Sequence, residues 1–356
     1  MSRKITQILF LNNYQGSGIG DFGQILRSHI TSRLGPPIVE ETSIDGVRIF
    51  YQLARLVAHR GTVLANVGLT SWGSSPARNF LGFVTLGLRA ALRRPTVVLL
   101  HNVIEVITPN DSGYQVSPLI RTGSHIAVSM LKFATIIVFS HCVAKTLTTL
   151  YGITPVIVTP IPCELEPTVR AERPNARSKC AVYIGYLAPY KGLELLVETW
   201  KILREKLALT VIGAPHRVLA LDERFEAWLD KILSNLRLVG GNLTGRLPEP
   251  ELSDHLANST IGVLPYSSTS GGSAAFARMA GAGLPVIATD LPEFRWLKSL
   301  GAGIEISLGS PCKFSASVLK VIDNEDYIRE LRERQLKFAE KYNWEEFTQM
   351  LHRLIT

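Results

Sequence analysis

The sequence predicts an α/β protein made of two parallel-sheet domains. Short apolar runs of strand length alternate with helix-length segments through both halves of the 356 residues. Strands spaced by helices imply parallel sheets with right-handed crossovers. A polar stretch over residues 163–179, with Pro167, Pro174 and several arginines and glutamates, separates the halves. Each half also carries a glycine loop between a strand and a helix, the position at which open α/β sheets bind anionic ligands.

In the first half, residues 5–11 read as a buried strand and 21–34 as the helix after it. Residues 62–66, 96–101, 135–139 and 156–159 are further strands by their short apolar runs, the last closed by Pro160 and Pro162. In the second half a strand over 181–184 runs into Gly185, and a helix follows from Leu193 to about Lys206. A strand over 209–213 ends in glycine, and 243–252 reads as a glycine-containing turn leading into a helix. Residues 274–283 form a helix of small residues stopped by Gly283, followed by a strand over 284–289. Residues 325–356 lack proline and place Leu331, Phe338, Phe347 and Leu351 at helical spacing. The expected domains are 1–165 and 180–335, joined by a linker over 166–179, with 336–356 as a closing helix.

Composition excludes several classes. With 46% hydrophobic and 19% charged residues the chain is globular and not disordered. Cys142, Cys163, Cys180 and Cys312 stand far apart, with neither metal-ligand nor redox spacing, which fits a reducing compartment. The apolar run 5–11 is too short for a secretory core, and the longest other apolar window, 126–139, is interrupted by Lys132. The expectation is a cytoplasmic protein with peripheral contact at the membrane face. The net charge of +8 is uneven: residues 1–160 hold 14 Lys and Arg against 6 Asp and Glu, whereas 161–356 hold 24 of each. An anionic membrane surface or a phosphate-bearing acceptor suits such a half. Nucleic acid does not, since no zinc finger, RNA-recognition signature or basic run is present.

Two stretches carry the chemistry of the second half. Gly185, Tyr186, Lys191 and Gly192 bring a lysine to a helix start near the carboxyl end of a strand, where it can meet phosphate oxygens. Ser270, Gly271, Gly272 and Ser273 open the small-residue helix, whose unpaired amides and dipole favour an anion. Together these stretches resemble the carboxyl-terminal domain of retaining GT-B glycosyltransferases of the GT4 kind, in order and spacing over about 120 residues. In that family a glycine and arginine precede a lysine-glycine pair. Two glutamates separated by seven residues then precede a run like Gly283 to Ala288.

The resemblance implies two Rossmann-like domains facing across a cleft, with the last helix crossing back to the first domain near Trp344. It implies a hexose moved from a nucleotide-sugar donor to a sugar or lipid-linked acceptor, with no cofactor and no metal, and with a donor phosphate oxygen assisting the acceptor hydroxyl. Lys191 and the amides from Ser270 to Ser273 would stabilise the leaving diphosphate. Gly213, Gly245, Arg246 and Leu247 would border the nucleotide base. Of the family's charged donor ligands only Lys191 is kept: the glutamates fall on Ser270 and Arg278, and the arginine on Tyr186. Arg278 would then offset the missing arginine or pair with an acid such as Glu293, and a relative that binds without transferring stays open.

In the first half, Gly18, Gly20 and Gly23 follow the first strand, with Glu40 and Glu41 about twenty residues on. This spells a dinucleotide-binding fingerprint and leaves an NAD-dependent oxidoreductase open. The resemblance reads Gly18 and Gly20 as facing the diphosphate. His101 ends a parallel strand and is expected to point into the cleft, where family members often place a histidine near the donor sugar. His141, after Ser140, is a weaker parallel. Residues 79–94 form an apolar segment with basic residues at its end, suited to packing on the sheet or lying on a membrane.

Overall fold

The computed structural model describes residues 8–12, 18–34, 39–42, 49–68, 71–72, 75–103, 117–165, 179–215, 223–269 and 271–355. Six parallel strands form a first sheet: β1 (Ile8–Asn12), β2 (Val39–Thr42), β3 (Thr62–Val67), β4 (Thr96–Leu100), β5 (Thr135–Val138) and β6 (Val156–Val158). Six more form a second: β7 (Cys180–Ile184), β8 (Ala208–Ile212), β9 (Gly241–Gly245), β10 (Ile261–Leu264), β11 (Val286–Thr289) and β12 (Ile304–Ser307). The central strands β1, β3, β4 and β10 are buried along their whole length, as expected of parallel strands covered on both faces. Apolar runs therefore reveal β1, β3 and β4. They do not reveal β2 and β9, edge strands reading Val-Glu-Glu-Thr and Gly-Asn-Leu-Thr-Gly. These pair through backbone alone, so 241–245 is a strand where the sequence suggested a turn.

Helices cover both faces of the first sheet. On one side α2 (Ile49–Ala58), α3 (Pro76–Ala91), α4 (Pro118–Ser129) and α5 (His141–Tyr151) share a core with β1, β3, β4 and β5. On the other, α1 (Gly18–Leu34) packs with the last helix of the chain. The second domain adds α6 (Leu193–Leu203), α7 (Glu223–Leu238), α8 (Glu249–Ala257), α9 (Ala274–Gly281), α10 (Pro292–Ser299) and α11 (Pro311–Ile322). The helical tail is two helices, α12 (Glu325–Lys341) and α13 (Trp344–Ile355), broken where Tyr342 O accepts from Cys163 N at 2.8 Å. That break sends α13 back onto the first domain. Trp344 meets Phe22 at 4.9 Å and stacks on His29 at 5.3 Å.

Two basic residues of the 79–94 segment have structural roles. Arg89 is fully buried, and its guanidinium donates to the carbonyls of Leu56 at 2.9 Å and His59 at 2.5 Å, and also to Gly61. Arg94 donates to Val57 O. Both charges close the carboxyl end of α2, where cations are favoured.

Strand order fixes where ligands can enter. The first sheet runs β2-β1-β3-β4-β5-β6 and the second β12-β11-β10-β7-β8-β9. The order reverses between β1 and β3 in the first sheet and between β7 and β10 in the second. Crevices of open α/β sheets open at such reversals, beyond the carboxyl ends of the strands. The four cysteines are free thiols.

Candidate functional site

At the β7/β10 reversal the chain leaves β7 through Gly185, whose φ of 145° excludes an ordinary side chain. Gly185 N donates to Ile212 O at 3.0 Å, and Gly213 N donates to Gly245 O at 2.9 Å. Gly185, Gly213 and Gly245 thus stand side by side at the ends of β7, β8 and β9, and a Cβ on Gly213 would overlap Gly185 O. Tyr183 Oη donates to Tyr186 O at 2.9 Å, holding the turn beneath.

Lys191 ends a 3₁₀ turn over Pro189–Lys191, immediately before α6. Gly192 begins that helix with φ 69°, and a Cβ there would overlap Pro265 O. Only glycine fits, and this tight approach sets the lysine against the residues after β10. Lys191 Nζ lies 3.8 Å from the ring centroid of Tyr266, within cation–π range. Tyr266 is buried, and burial pushes its phenol well above the usual range, so it stays neutral beside the cation.

The glycine loop follows directly. Ser270 lies outside the described residues. Ser273 caps α9 with its hydroxyl, accepting from Phe276 N at 3.2 Å. Gly271 and Gly272 face the other domain. A Cβ on Gly271 would overlap His101 O, and one on Gly272 would stand 2.6 Å from Phe139 O. The loop was read as glycine-rich for an anion. In the structure the two glycines let it close onto the strand ends β4 and β5, at the seam of the cleft.

His101 differs from its expected pose. Its ring lies between Phe22 at 5.0 Å and Phe139 at 4.8 Å, and Nε2 meets Asn66 Oδ1 at 2.7 Å. Asn66 Nδ2 donates to Ile19 O at 2.8 Å and to Asn12 Oδ1 at 3.2 Å. Those two donations orient the Asn66 amide, so its oxygen is the acceptor and the proton sits on His101 Nε2. Nδ1 remains the basic nitrogen. Burial holds the imidazole down at about 3, so it is neutral at ordinary pH. The backbone carbonyl, not the ring, faces the glycine loop.

The fingerprint glycines open α1, with Gly18 as its first residue and Gly20 buried. A Cβ on Gly23 would stand 2.5 Å from Asn12 Cγ, so this glycine makes room for the asparagine network. Glu40 and Glu41 lie on the edge strand β2. The dinucleotide fingerprint thus has a packing explanation at Gly23.

Arg246 was expected by the nucleotide base; its guanidinium instead crosses the cleft to Asp21 of α1 at 3.2 Å. Leu247 packs against the second core. Arg278 pairs with Glu249 in the first turn of α8, not with Glu293. Glu293, near the start of α10, is 1% exposed, and its Oε2 accepts from Ser140 Oγ, the cap of α5, at 2.6 Å. Burial pushes the Glu293 carboxyl up to about 8. His141 stacks on Trp296 of the same helix at 6.3 Å.

Sequence reasoning missed Asn12, Asn66 and Tyr266, and it named Glu293 only as an alternative partner of Arg278, not of Ser140. Asn66 had a signal, a lone amide inside an apolar strand. Glu293 and Ser140 had none, because 153 positions separate them in the chain.

Residues 178–324 match the family described as Glycosyl transferases group 1. The fold is GT-B, and its second domain is similar to that family. Solved structures agree over nearly the whole GT-B chain. Anabaena Alr3699/HepE in complex with UDP-glucose superposes with a TM-score of 0.69 at 14% identity, covering 98% of each chain. Sucrose-phosphate synthase from Thermosynechococcus elongatus gives the same TM-score, identity and coverage. WaaG, a glycosyltransferase involved in lipopolysaccharide biosynthesis, gives 0.63 at 12% identity, covering 98% of this chain and 99% of its own. No curated protein matches in sequence. Among the described residues of this GT-B chain no helix is long and apolar enough to cross a membrane.

Proposed function

We infer that the protein transfers a hexose from a nucleotide-sugar donor, with retention of configuration, to an acceptor carried by a lipid or glycan at a membrane. The observation that carries the reading is Lys191. It stands at the β7/β10 reversal of a domain of the group 1 family, over the neutral Tyr266 ring and ahead of the α9 cap. A cation and a helix amino terminus converging on one crevice suit a leaving diphosphate. HepE, whose structures hold UDP and UDP-glucose, supports a uridine donor as the first to try. WaaG, with its part in lipopolysaccharide biosynthesis, and the basic first half favour a membrane-borne acceptor.

In this mechanism the donor lies mainly on the second domain and the acceptor on the first. Lys191 offsets charge on the departing diphosphate. His101 contributes its carbonyl oxygen and its fixed neutral ring to the opposite wall. Closure of the Gly271–Gly272 loop onto that wall keeps water from the activated sugar.

The test is donor turnover by purified protein, read as UDP release from UDP-glucose with and without membrane extract. Lys191→Ala should lower kcat/KM by one to two decades, the cost of a charge-assisted hydrogen bond at about 1.5–3 kcal/mol. Unchanged kinetics remove Lys191 from the site. A second reading, a relative that binds donor without transferring, draws on one observation: Arg278, where the resembled family has glutamate, is engaged by Glu249. Donor-induced thermal stabilisation without any UDP release is its signature.

A further inference from the structure

The outer surface of the first domain combines two features. Helices α2, α3, α4 and α5 lie side by side on one face of the sheet. Across described residues 49–155 there is no Asp or Glu, against nine Lys and Arg. The same face leaves large apolar side chains in solvent. Leu88 is 47% exposed, Leu92 62%, Leu119 82%, Ile126 51% and Phe133 51%.

Packing arranges these groups in register. Gly123 of α4 approaches Phe80 of α3, and Gly87 of α3 approaches Met130 in the 3₁₀ turn after α4. The two helices therefore run alongside in the same direction. Helix α3 buries Phe83, Leu86 and Ala90 inward. Its outward positions include Ala77, Leu88, Ala91 and, just beyond its end, Leu92, with Leu81 and Val84 half-buried against the core between them. An ordinary surface helix carries charge there. Exposed Arg78 and Arg121 flank one end of the pair, and exposed Arg93 and Lys132 the other.

We propose that this face, centred on α3, α4 and the turn bearing Phe133, is the docking surface for an anionic lipid bilayer, with Leu88, Leu92 and Phe133 entering the acyl boundary and the four flanking cations meeting headgroup phosphates. An apolar stripe ringed by cations is the pattern of interfacial binding. Nucleic acid fits less well, because the exposed apolar groups are mostly aliphatic and offer little stacking. The proposal deepens the reading of a membrane-borne acceptor and rests on it for its purpose. Arg89 and Arg94 are consumed inside the domain, whereas Arg78, Arg93, Arg121 and Lys132 stay exposed beside the apolar groups.

The experiment is vesicle flotation of the full chain, with mixed phosphatidylglycerol–phosphatidylcholine vesicles and with phosphatidylcholine alone, alongside UDP release from UDP-glucose. Binding should need the anionic lipid and fall with salt. Replacing Arg93 and Lys132 by Asn should weaken it about fivefold per charge, or about 25-fold together. Leu88→Ser with Leu92→Ser should weaken it about tenfold or more. Both variants should melt like the parent and release UDP from soluble donor at the parent rate. The proposal is overturned if the parent does not float with anionic vesicles, or if both variants float as it does. It is also overturned if the charge variant alone loses binding and the parent binds single-stranded RNA equally well. Vesicle binding without UDP release leaves the surface intact and sinks the catalytic reading instead.

Discussion

Replacing Glu293 by glutamine tests the closed arrangement of the two domains. The carboxyl is 1% exposed, and among the described residues its hydrogen-bond partner is Ser140 Oγ of the opposite domain at 2.6 Å. Its folded pKa of about 8 lies above the ordinary 4.5 because burial disfavours the charge. The native state therefore binds this proton more tightly than the unfolded chain does. The stability it contributes is complete below about pH 4.5 and is lost as pH rises toward 8. Over the interval from 4.5 to about 8, at about 1.36 kcal/mol per pH unit, the loss is bounded at about 5 kcal/mol. Opening the seam alone rehydrates the carboxylate, so the loss appears first as domain separation and less as global unfolding. Glutamine keeps the shape and the acceptor for Ser140 and has no proton to lose. The assay is thermal unfolding with small-angle scattering, from about pH 4.5 to about pH 9, on parent and Glu293→Gln. The variant should match the parent at the acid end and be the more stable and compact at the alkaline end, by on the order of 5 °C. Taking the difference between proteins removes groups common to both. Parallel pH curves would refute a neutral carboxyl in the seam.

Gly271→Ala should hold the domains apart, since the added methyl overlaps His101 O; overpacking of this kind costs about 1–3 kcal/mol. The readout is a larger radius of gyration with each domain still folded, and an unchanged radius would show that the loop gives way. Asn66→Leu removes the acceptor for His101 Nε2 and the donor to Ile19 O. Nitrogen NMR of the imidazole should then report a changed tautomer population, and donor turnover should fall; an unaltered spectrum would mean that other groups set the tautomer. Arg278→Glu restores the resembled family's residue but sets a carboxylate against Glu249. We expect weaker UDP-glucose binding and a lower Tm, and tighter binding would show that the arginine opposes the donor.

Much of the scaffold was legible because parallel strands advertise themselves. Strands such as β3 and β4 must be apolar on both faces, so their sequences are continuous apolar runs bounded by helices. Edge strands β2 and β9 escaped because backbone pairing at an edge asks nothing of side chains. The tail was read as one helical region because its periodicity continues through residue 342. The break comes from a tertiary bond, Cys163 N to Tyr342 O.

The site divides along the same line. The sequence by itself determined that Lys191 stands at a helix start beside a glycine turn, because strand, turn, lysine and helix are local and contiguous. It also determined that the first half is cationic. Only the tertiary structure decided what those groups meet. Gly271 faces His101 O, Arg246 reaches Asp21, Glu293 receives the Ser140 hydroxyl, and the His101 proton is fixed by Asn66. Each of these joins residues dozens to hundreds of positions apart. Periodicity and spacing carry local geometry, whereas such pairings arise from sheet order and domain closure, which bring distant strand ends to one seam.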